Sequence, residues 1–160
     1  MVIDSFRGPY AFLSNMYPAR IVFDALTFTC SEAAYQAAKC ADPNDRFRFR
    51  DIDGFTAKRL GRSIDIRPDW DAVKVDTMRR ILANKFRYSE PMGARLLATG
   101  DAEIIEGNHW NDTFWGVCRG VGENWLGKLL MARRAELQQT AMENAPATPA
   151  GADHEQEDKE

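Results

Sequence analysis

The segment from residue 29 to residue 39 reads Thr29-Cys30-Ser31-Glu32-Ala33-Ala34-Tyr35-Gln36-Ala37-Ala38-Lys39. Its four alanines and its lack of glycine and proline predict a helix. Helical spacing of i, i+3, i+4 and i+7 then places an acid, an aromatic ring, an amide and an amine on one face. The small alanines beside that face allow other elements to approach closely, so the polar face can be buried instead of solvated. Its members are Glu32, Tyr35, Gln36 and Lys39.

Two interpretations of this polar face are open at the level of the helix alone. Thr29, followed three residues later by Glu32, fits a capping box, in which the carboxylate accepts hydrogen bonds from backbone N–H groups at the helix start. A solvated polar face would show a similar pattern. The other interpretation is a set of catalytic groups, and other parts of the chain have to support it.

Length and composition indicate one globular domain. The chain has 160 residues, of which 44% are apolar and 28% charged, and this length suffices for a core without metals or disulfides. No run approaches the roughly 20 apolar residues that a membrane helix requires. The first residues also lack the apolar segment of a signal peptide. We therefore expect a cytoplasmic protein with no membrane partner, and the sequence gives no indication of its oligomeric state.

Cysteine and histidine usage argues against metal and cofactor chemistry. The three cysteines form no C-x-x-C pair, which speaks against a disulfide framework and against a thiolate zinc site. Only two histidines are present, His109 and His154, so a His-rich metal centre is excluded, although carboxylates alone could hold a hard cation. No glycine-rich phosphate loop occurs either. The expectation is an enzyme or binding protein with no metal and no cofactor.

The charge is unevenly distributed along the chain. Residues 143–160 hold six acids and one lysine, so residues 1–142 carry a net charge of +2 although the whole chain carries −3. We expect residues 1–142 to form the domain and residues 143–160 to be a disordered acidic tail. Within the domain, residues 46–67 hold seven basic and three acidic residues. Such an excess suits a phosphate-bearing ligand, and it is equally typical of a solvated cationic face.

Periodicity and turn residues predict the elements around the central helix, which we expect to end near Ala41. Apolar residues at i+3 and i+4 steps indicate a long helix that ends near Phe86. On the last helix, apolar residues at the same i+3 and i+4 steps place Arg133 on the buried face, where its charge needs a carboxylate partner. The other predicted elements are a hairpin over 20–29 turning at Asp24-Ala25, short helices at 45–53, 56–60 and 91–98, strands at 103–106 (ended by Gly107) and 116–122, and a last helix opened by Asn124.

A second informative stretch is Glu106-Gly107-Asn108-His109-Trp110-Asn111-Asp112-Thr113-Phe114-Trp115-Gly116. It mixes acids, amides, one imidazole and large rings, which is typical of a binding loop and poor for a regular element. Alternatively, its acids cap turns and its tryptophans fill core space. Trp70, Trp110 and Trp115 are candidates for stacking on a flat base, and core packing is as good an explanation for each.

Two further polar residues stand in apolar surroundings. Asn15 lies in an apolar stretch and needs several hydrogen-bond partners, which suits a loop-bracing residue or a ligand contact. Lys85 projects from the core-facing side of the long helix. Its amine either reaches solvent along that face or binds a phosphate.

Taken together, these motifs resemble the NADAR domain family, which includes the YbiA-like N-glycosidases. The resemblance covers the chain from about Phe6 to Leu137. Residues 106–111 depart from the plainer segment of many members. The motifs are Phe12-Leu13-Ser14-Asn15, Ser31-Glu32 with Tyr35-Gln36-x-x-Lys39, Asp69-Trp70, Lys85-Phe86, Leu96-Leu97-x-Thr99-Gly100, Asp112-x-x-Trp115-Gly116, Gly122-x-Asn124-x-Leu126-Gly127 and Leu130-Met131-x-Arg133.

The resemblance implies a single compact, mainly helical α+β domain with a few short strands, and cleavage of a bond between a ribose and a nitrogen. It implies as substrate either phosphoribosylamino-pyrimidine intermediates of riboflavin synthesis or ADP-ribosylated guanine in nucleic acid. Family positions carried over as the active site match Glu32, Lys39, Trp70, Asp112 and Trp115. With the residue-level candidates added, the predicted site has Glu32, Lys39 and Asp112 as catalytic groups and Asn15, Tyr35, Gln36, Trp70, Lys85 and Trp115 as substrate contacts.

The predicted residues suit this chemistry. Breaking an N-glycosidic bond develops oxocarbenium character at the ribose C1, so one carboxylate stabilises charge while a second group moves protons. Glu32 and Asp112 could divide these tasks in either order. Lys39 could attack C1 and form a Schiff base, or it could bind a phosphate or a ribose hydroxyl. The alternative from another functional class is a module that binds ADP-ribose or a related nucleotide without turning it over.

Overall fold

The computed structural model describes residues 1–147, which form helices and a few short strands. This arrangement confirms the predicted α+β class. The α-helices are α1 (Ser31–Ala38), α2 (Gly54–Leu60), α3 (Trp70–Lys85), α4 (Pro91–Leu97) and α5 (Trp125–Glu143), the 3₁₀ helices are Gly8–Leu13 and Pro43–Phe49, and the strands are β1 (Val2–Ile3), β2 (Ile21–Phe23), β3 (Leu26–Phe28), β4 (Glu103–Ile104), β5 (Gly107–Asn108) and β6 (Val117–Cys118).

The strands form three two-stranded pairs. β1 and β4 pair in parallel, β2 and β3 form an antiparallel hairpin, and β5 and β6 pair in parallel. The hairpin turns at Asp24 and Ala25, whose φ angles of 46° and 64° are the left-handed values that a two-residue hairpin loop requires. The predicted hairpin is therefore confirmed, and the parallel pairs bring distant parts of the chain together.

The short helix α1 lies at the centre of the molecule. All eight of its residues are buried, and its four alanines are at most 2% exposed. The small side chains let α2, α3, the 3₁₀ helix Pro43–Phe49 and the hairpin pack directly against it. Helix α1 ends at Ala38, three residues before the predicted end, because Cys40 leaves the helix to form a bridge with Ile66.

Helices α3 and α5 pack against each other and close the core. Met78, Ile81 and Leu82 of α3 are at most 1% exposed, as the predicted apolar stripe requires. Asn124 is the N-cap of helix α5; it has a φ of 55° and donates through Nδ2 to the Ile104 carbonyl at 2.9 Å. The Cα of Gly127 lies so close to the same carbonyl that a Cβ would collide with it. The start of α5 is thereby tied to β4.

Three local predictions are wrong. The capping box does not form, because Cys30 is the N-cap of α1, the Thr29 hydroxyl donates to the Ile52 carbonyl and the Glu32 carboxylate faces Gln36. Gly107 does not end a strand and instead begins β5, after a break that follows Ile104.

The buried arginine of α5 is Arg134, which is 6% exposed and donates to the Thr99 hydroxyl at 2.8 Å. The predicted Arg133 is half-buried and has the expected carboxylate partner, Glu136. Leu126, Leu130 and Leu137 are buried as the predicted stripe requires, and only the arginine of the buried face differs by one position. The predicted tail lies, from residue 148 onward, outside the described residues.

Candidate active site

A cavity of about 1000 Å³ opens between α1, the loop at residues 14–16 and the segment from Ile105 to Arg119. Its volume lies at the upper end of the range for small-molecule sites, which extends to about 1000 Å³. Seven of the nine predicted site residues line it, although they come from three separate parts of the chain. These are Asn15, Glu32, Tyr35, Gln36, Lys39, Asp112 and Trp115. The roles assigned to them stay predictions.

Trp70 and Lys85 do not line this cavity. Trp70 is 8% exposed and packs its ring edge-to-face on Tyr35, with 5.1 Å between ring centroids. Lys85 is 3% exposed and donates through Nζ to the Ser14 carbonyl at 2.7 Å. The expected ligand contacts of these two residues are corrected to supporting positions, because one holds the ring of Tyr35 and the other holds the loop that carries Asn15.

Glu32 is held by both its backbone and its side chain. Its backbone N–H donates to the Asn15 carbonyl at 2.9 Å, and its Oε1 accepts from Gln36 Nε2 at 2.8 Å. Burial raises the pKa of this carboxyl above its ordinary value, and the negative charge of Asp112 acts in the same direction. The Gln36 hydrogen bond and the amines of Lys58 and Lys39 oppose that rise. Glu32 can therefore carry a proton at a higher pH than an exposed glutamate.

Lys39 stands at the C-terminal end of α1, on the same helix face as Glu32. Within residues 1–147 its amine has no ion pair or hydrogen bond, and it lies 5.0 Å from the ring centroid of Tyr35. Burial lowers the pKa of Lys39, and the nearby charges of Lys58 and Lys74 lower it further, whereas Glu32 raises it. The amine is therefore easier to deprotonate than an exposed lysine and has only aromatic neighbours to hold it.

Asp112 uses one carboxylate oxygen to brace its own loop. Oδ1 accepts from the backbone N–H groups of Phe114 at 3.1 Å and of Trp115 at 2.9 Å. The second oxygen makes no hydrogen bond in the part of the chain that the structure describes. The turn-capping interpretation is thus correct for one oxygen, and the other is available to the cavity that Asp112 lines.

Two buried side-chain oxygens of the site residues have no hydrogen-bond partner within residues 1–147. Asn15 Oδ1 is one of them, while the Nδ2 of the same amide contacts the sulfur of Met78 at 3.7 Å. The other is Gln36 Oε1, which lies against Gly61, where a Cβ would collide with it. Unpaired buried acceptors are costly, so these two amide oxygens lower the stability of the fold around the site.

The three candidate tryptophans occupy different environments. Trp115 lines the cavity and meets Tyr35 edge-to-face at 5.5 Å between ring centroids. Trp110 also lines the cavity but is 50% exposed, and the amine of Lys58 lies 5.7 Å from its ring centroid. Trp110 therefore offers an accessible face for stacking at the cavity mouth, whereas Trp70 belongs to the core.

Several cavity residues were missed by reasoning from the sequence. Of the basic residues in the segment 46–67, only Lys58 lines the cavity. Arg46 and Arg67, for example, form ion pairs with Asp24 and Asp69. Arg7 and Arg119 line it without having been singled out, and Glu106 lines it although it was named only as part of the predicted binding loop. No residue spacing marks them, because their positions depend on the pairing of β1 with β4 and of β5 with β6.

Lys85 provides a test of the core beneath the site. Burial lowers its pKa to about 7, so between about pH 7 and the ordinary lysine pKa near 10.4 the unfolded chain binds more protons than the folded one. This group therefore makes stability rise with pH over that window, by at most about 1.4 kcal/mol per pH unit. We expect urea unfolding at pH 7.5, 8.5 and 9.5 to show a smaller rise for Lys85→Met than for the wild type. Equal slopes for the two proteins would contradict the buried, depressed amine.

The described residues contain no helix long and apolar enough to cross a bilayer. Among the same residues, no group of three or more histidine, cysteine, aspartate or glutamate side chains is arranged to hold a metal ion.

Comparison with known proteins adds a family to this geometry. The NADAR domain matches residues 4–138. The chain is 37% identical over 132 residues to the N-glycosidase YbiA of Escherichia coli, covering 80% of this chain and 82% of that protein. An N-glycosidase of Nostoc punctiforme is 34% identical over 137 residues, covering 81% of this chain and 87% of the relative.

The chain also resembles part of a longer protein and one solved structure. A riboflavin biosynthesis protein of Vibrio vulnificus is 40% identical over 139 residues, and the match covers 84% of this chain but only 38% of that longer protein. Among solved structures, the NMR structure of E. coli YbiA superposes with a TM-score of 0.79 at 34% identity and covers 92% of this chain and 89% of that one. The fold around the cavity is therefore that of a known structure.

Proposed function

The chain belongs to the NADAR domain family, and we propose that it is a hydrolase of N-glycosyl bonds. The bond cleaved joins a phosphoribose or ADP-ribose to a nucleobase-like amine. One observation carries the proposal: a buried acid, Glu32, and a half-buried amine, Lys39, line the same cavity as Asp112. A cavity that only bound a nucleotide would have no need of a desolvated acid beside a desolvated amine.

The proposed reaction uses the two perturbed groups together. The neutral amine of Lys39 attacks the ribose C1, and the C1–N bond breaks with its electron pair leaving on the nitrogen of the base. The resulting glycosylamine loses one N–H proton to Glu32 and opens at the ring oxygen, which takes a proton, to give a Schiff base. Water then adds to the Schiff base, and the amine departs as the sugar is released. Glu32 carries the proton between these steps.

Asp112 stabilises the positive charge that develops at C1, and the tryptophans of the cavity contact the base. The unused carboxylate oxygen of Asp112 can stabilise positive charge at C1, because an ionised acid in a partly buried site interacts strongly with a cation. Trp110 and Trp115 offer flat faces or edges to a base. No metal and no cofactor take part in these steps.

The charged lining favours a phosphate-bearing substrate. Arg7, Lys58 and Arg119 line the cavity, and none of the three has an ion pair with another residue of the range 1–147. Two substrates fit this description: ADP-ribosyl-guanine in nucleic acid, and the phosphoribosylamino-pyrimidine intermediates of riboflavin synthesis. The name of the Vibrio relative, a riboflavin biosynthesis protein, favours the second. All three cysteines are free thiols. Free thiols are typical of proteins in a reducing compartment such as the cytoplasm, which is the location we propose.

Substitutions of Asp112 separate the effect of its negative charge from the effect of its hydrogen bonds on the loop. We expect Asp112→Asn to lower kcat by about 100-fold, because the charge at C1 is lost. The amide oxygen still accepts from the N–H groups of Phe114 and Trp115, so the melting temperature is expected to stay near that of the wild type. Asp112→Ala, which loses both bonds, is expected to lose activity and stability together. Full activity in Asp112→Asn would limit Asp112 to bracing the loop.

The proposed function is tested by offering both substrates to the purified wild type. ADP-ribosylated guanine in single-stranded DNA and the phosphoribosylamino-pyrimidine are incubated separately, and release of base or sugar is followed by mass spectrometry. Release from either substrate, absent in an identically prepared Glu32→Gln protein, supports the hydrolase and selects the substrate. Tight binding of a nucleotide with no release from either would favour the non-catalytic binding module.

A further inference from the structure

Glu106 is the least explained polar residue of the cavity. It lines the cavity, lies on the wall opposite α1 and has no part in the steps proposed so far. Its backbone is held on both sides: the N–H donates to Asn124 Oδ1 at 2.9 Å, and the carbonyl accepts from the Val117 N–H at 2.8 Å. The fold thus fixes this residue at the junction of β4, β6 and the start of α5.

The side chain of Glu106 is fixed as firmly as its backbone. Oε2 accepts from Asn108 Nδ2 at 3.0 Å, and the same amide is held in place by both the N–H and the carbonyl of Asp112. Gly116 lies directly against Oε2, and a Cβ at that position would collide with both the carboxylate and the Asn108 amide. A residue larger than glycine would therefore displace the carboxylate.

One oxygen of this carboxylate is left for a ligand. Oε1 makes no hydrogen bond in residues 1–147, and it is not among the buried side-chain atoms that lack a partner, so it is open to the cavity. A carboxyl group that is rigidly held by one oxygen and open at the other is suited to transfer a proton in a defined direction. The chemistry across the cavity needs such a group, because a base that departs from C1 with its electron pair must be protonated.

We propose that Glu106 is the general acid of this site and donates its proton to the departing nitrogen of the base. The inference rests on the proposed N-glycosidase function. As the C1–N bond breaks, its electron pair stays on nitrogen, which takes the proton from Glu106. Glu106 is left as a carboxylate, and the water that later hydrolyses the sugar adduct supplies the proton that restores it. Glu32 serves Lys39, and Glu106 serves the leaving group.

The electrostatics of the site agree with this assignment. Burial raises the pKa of Glu106 to about 7 and the charge of Asp112 adds to the rise, while the Asn108 hydrogen bond and the Lys58 amine oppose it. Glu106 is therefore partly protonated near neutral pH, next to an aspartate that makes two N–H bonds. Two neighbouring carboxyl groups with different environments divide acid and base roles in this way. The other charged or titratable lining residues are Asp4, Arg7, Glu32, Tyr35, Lys39, His109 and Arg119.

The test compares Glu106→Gln with the wild type on ribosylated amines whose leaving nitrogens differ in basicity. Glutamine keeps an oxygen for the Asn108 bond but has no acidic proton. We expect kcat to fall about 100-fold or more for strongly basic leaving groups and little for weakly basic ones, which depart without protonation. The fall in kcat/KM above about pH 7 is expected in the wild type and not in the variant. Glu103→Gln, an exposed acid of β4 outside the cavity lining, is the matched control and is expected to match the wild type.

The outcomes separate the two proposals. An equal loss for all leaving groups, with the wild-type pH profile retained, would make Glu106 a brace for the loop and overturn its role as acid. Unchanged activity would do the same. If the wild type released base from no member of the series, the N-glycosidase proposal itself would fail, and the role of Glu106 with it.

Discussion

Replacement of Glu32 by glutamine is expected to lower kcat by about 1000-fold on whichever substrate the wild type turns over. The variant keeps an oxygen to accept the Gln36 hydrogen bond of 2.8 Å, so the side chain can stay in place. What it loses is the ability to take a proton from Lys39 and return it, and general acid–base groups contribute about 100- to 10,000-fold. Steady-state kinetics with mass-spectrometric detection of the released base measure the loss.

The same variant is expected to be more stable than the wild type above neutral pH. Burial raises the pKa of Glu32, so the folded state holds its proton more tightly than the unfolded state does. The stabilisation linked to this proton is complete below the unfolded pKa and is lost as the pH rises through the folded pKa. Glutamine carries no such penalty, so its advantage in melting temperature should grow from pH 4 to pH 8. Glu90→Gln, an exposed acid outside the cavity lining, is the control. Activity within threefold of the wild type in Glu32→Gln would remove Glu32 from the chemistry.

Replacement of Lys39 by arginine is expected to lower kcat by about 1000-fold or more. Arginine retains the positive charge but does not deprotonate in proteins, so it cannot attack the ribose C1. Borohydride added during turnover should join the sugar to the wild-type chain on the peptide that contains Lys39, and to no peptide of the variant. If Lys39 only binds a phosphate, the substitution should instead raise KM and leave kcat nearly unchanged. Borohydride would then trap no adduct in either the wild type or the variant.

Lys74 offers a matched control for this experiment. It pairs with Asp71 at 3.2 Å, lies outside the cavity lining and is close enough to influence the pKa of Lys39. Lys74→Arg preserves that charge and is expected to leave both turnover and trapping unchanged. Trapping lost in Lys74→Arg as well would mean that the adduct does not report on Lys39 alone.

The sequence was sufficient for those parts of the site that share one helix. The i, i+3, i+4, i+7 pattern of Glu32, Tyr35, Gln36 and Lys39 depends only on helical geometry, and α1 does place all four along the cavity. The hairpin was predictable for the same reason, because turn residues and alternation act locally.

On the opposite wall, Asp112 and Trp115 were predicted to line the site, whereas Glu106 was not predicted as a site residue, because long-range contacts position it. Glu106 is set by Asn124, 18 residues away, and by the approach of Gly116, and neither contact leaves a periodic mark. Trp70 and Lys85 show that residue type alone does not predict which side chains line the cavity. Their residue types suited a ligand, but side-chain direction is decided by packing, and both point into the core. The one-position error between Arg133 and Arg134 has the same origin, since small changes in helix phase decide which side chain is buried.

The complete burial of α1 limits how such an enzyme can acquire a new specificity. Its alanines are closed in by α2, α3 and the hairpin, so a larger side chain there would push Glu32 and Lys39 out of place before it altered any contact with substrate. Arg7, Trp110 and Arg119 are exposed at the cavity and can change at little cost to folding. Changes in substrate choice are therefore expected among such exposed lining residues, while the buried helix α1 stays the same.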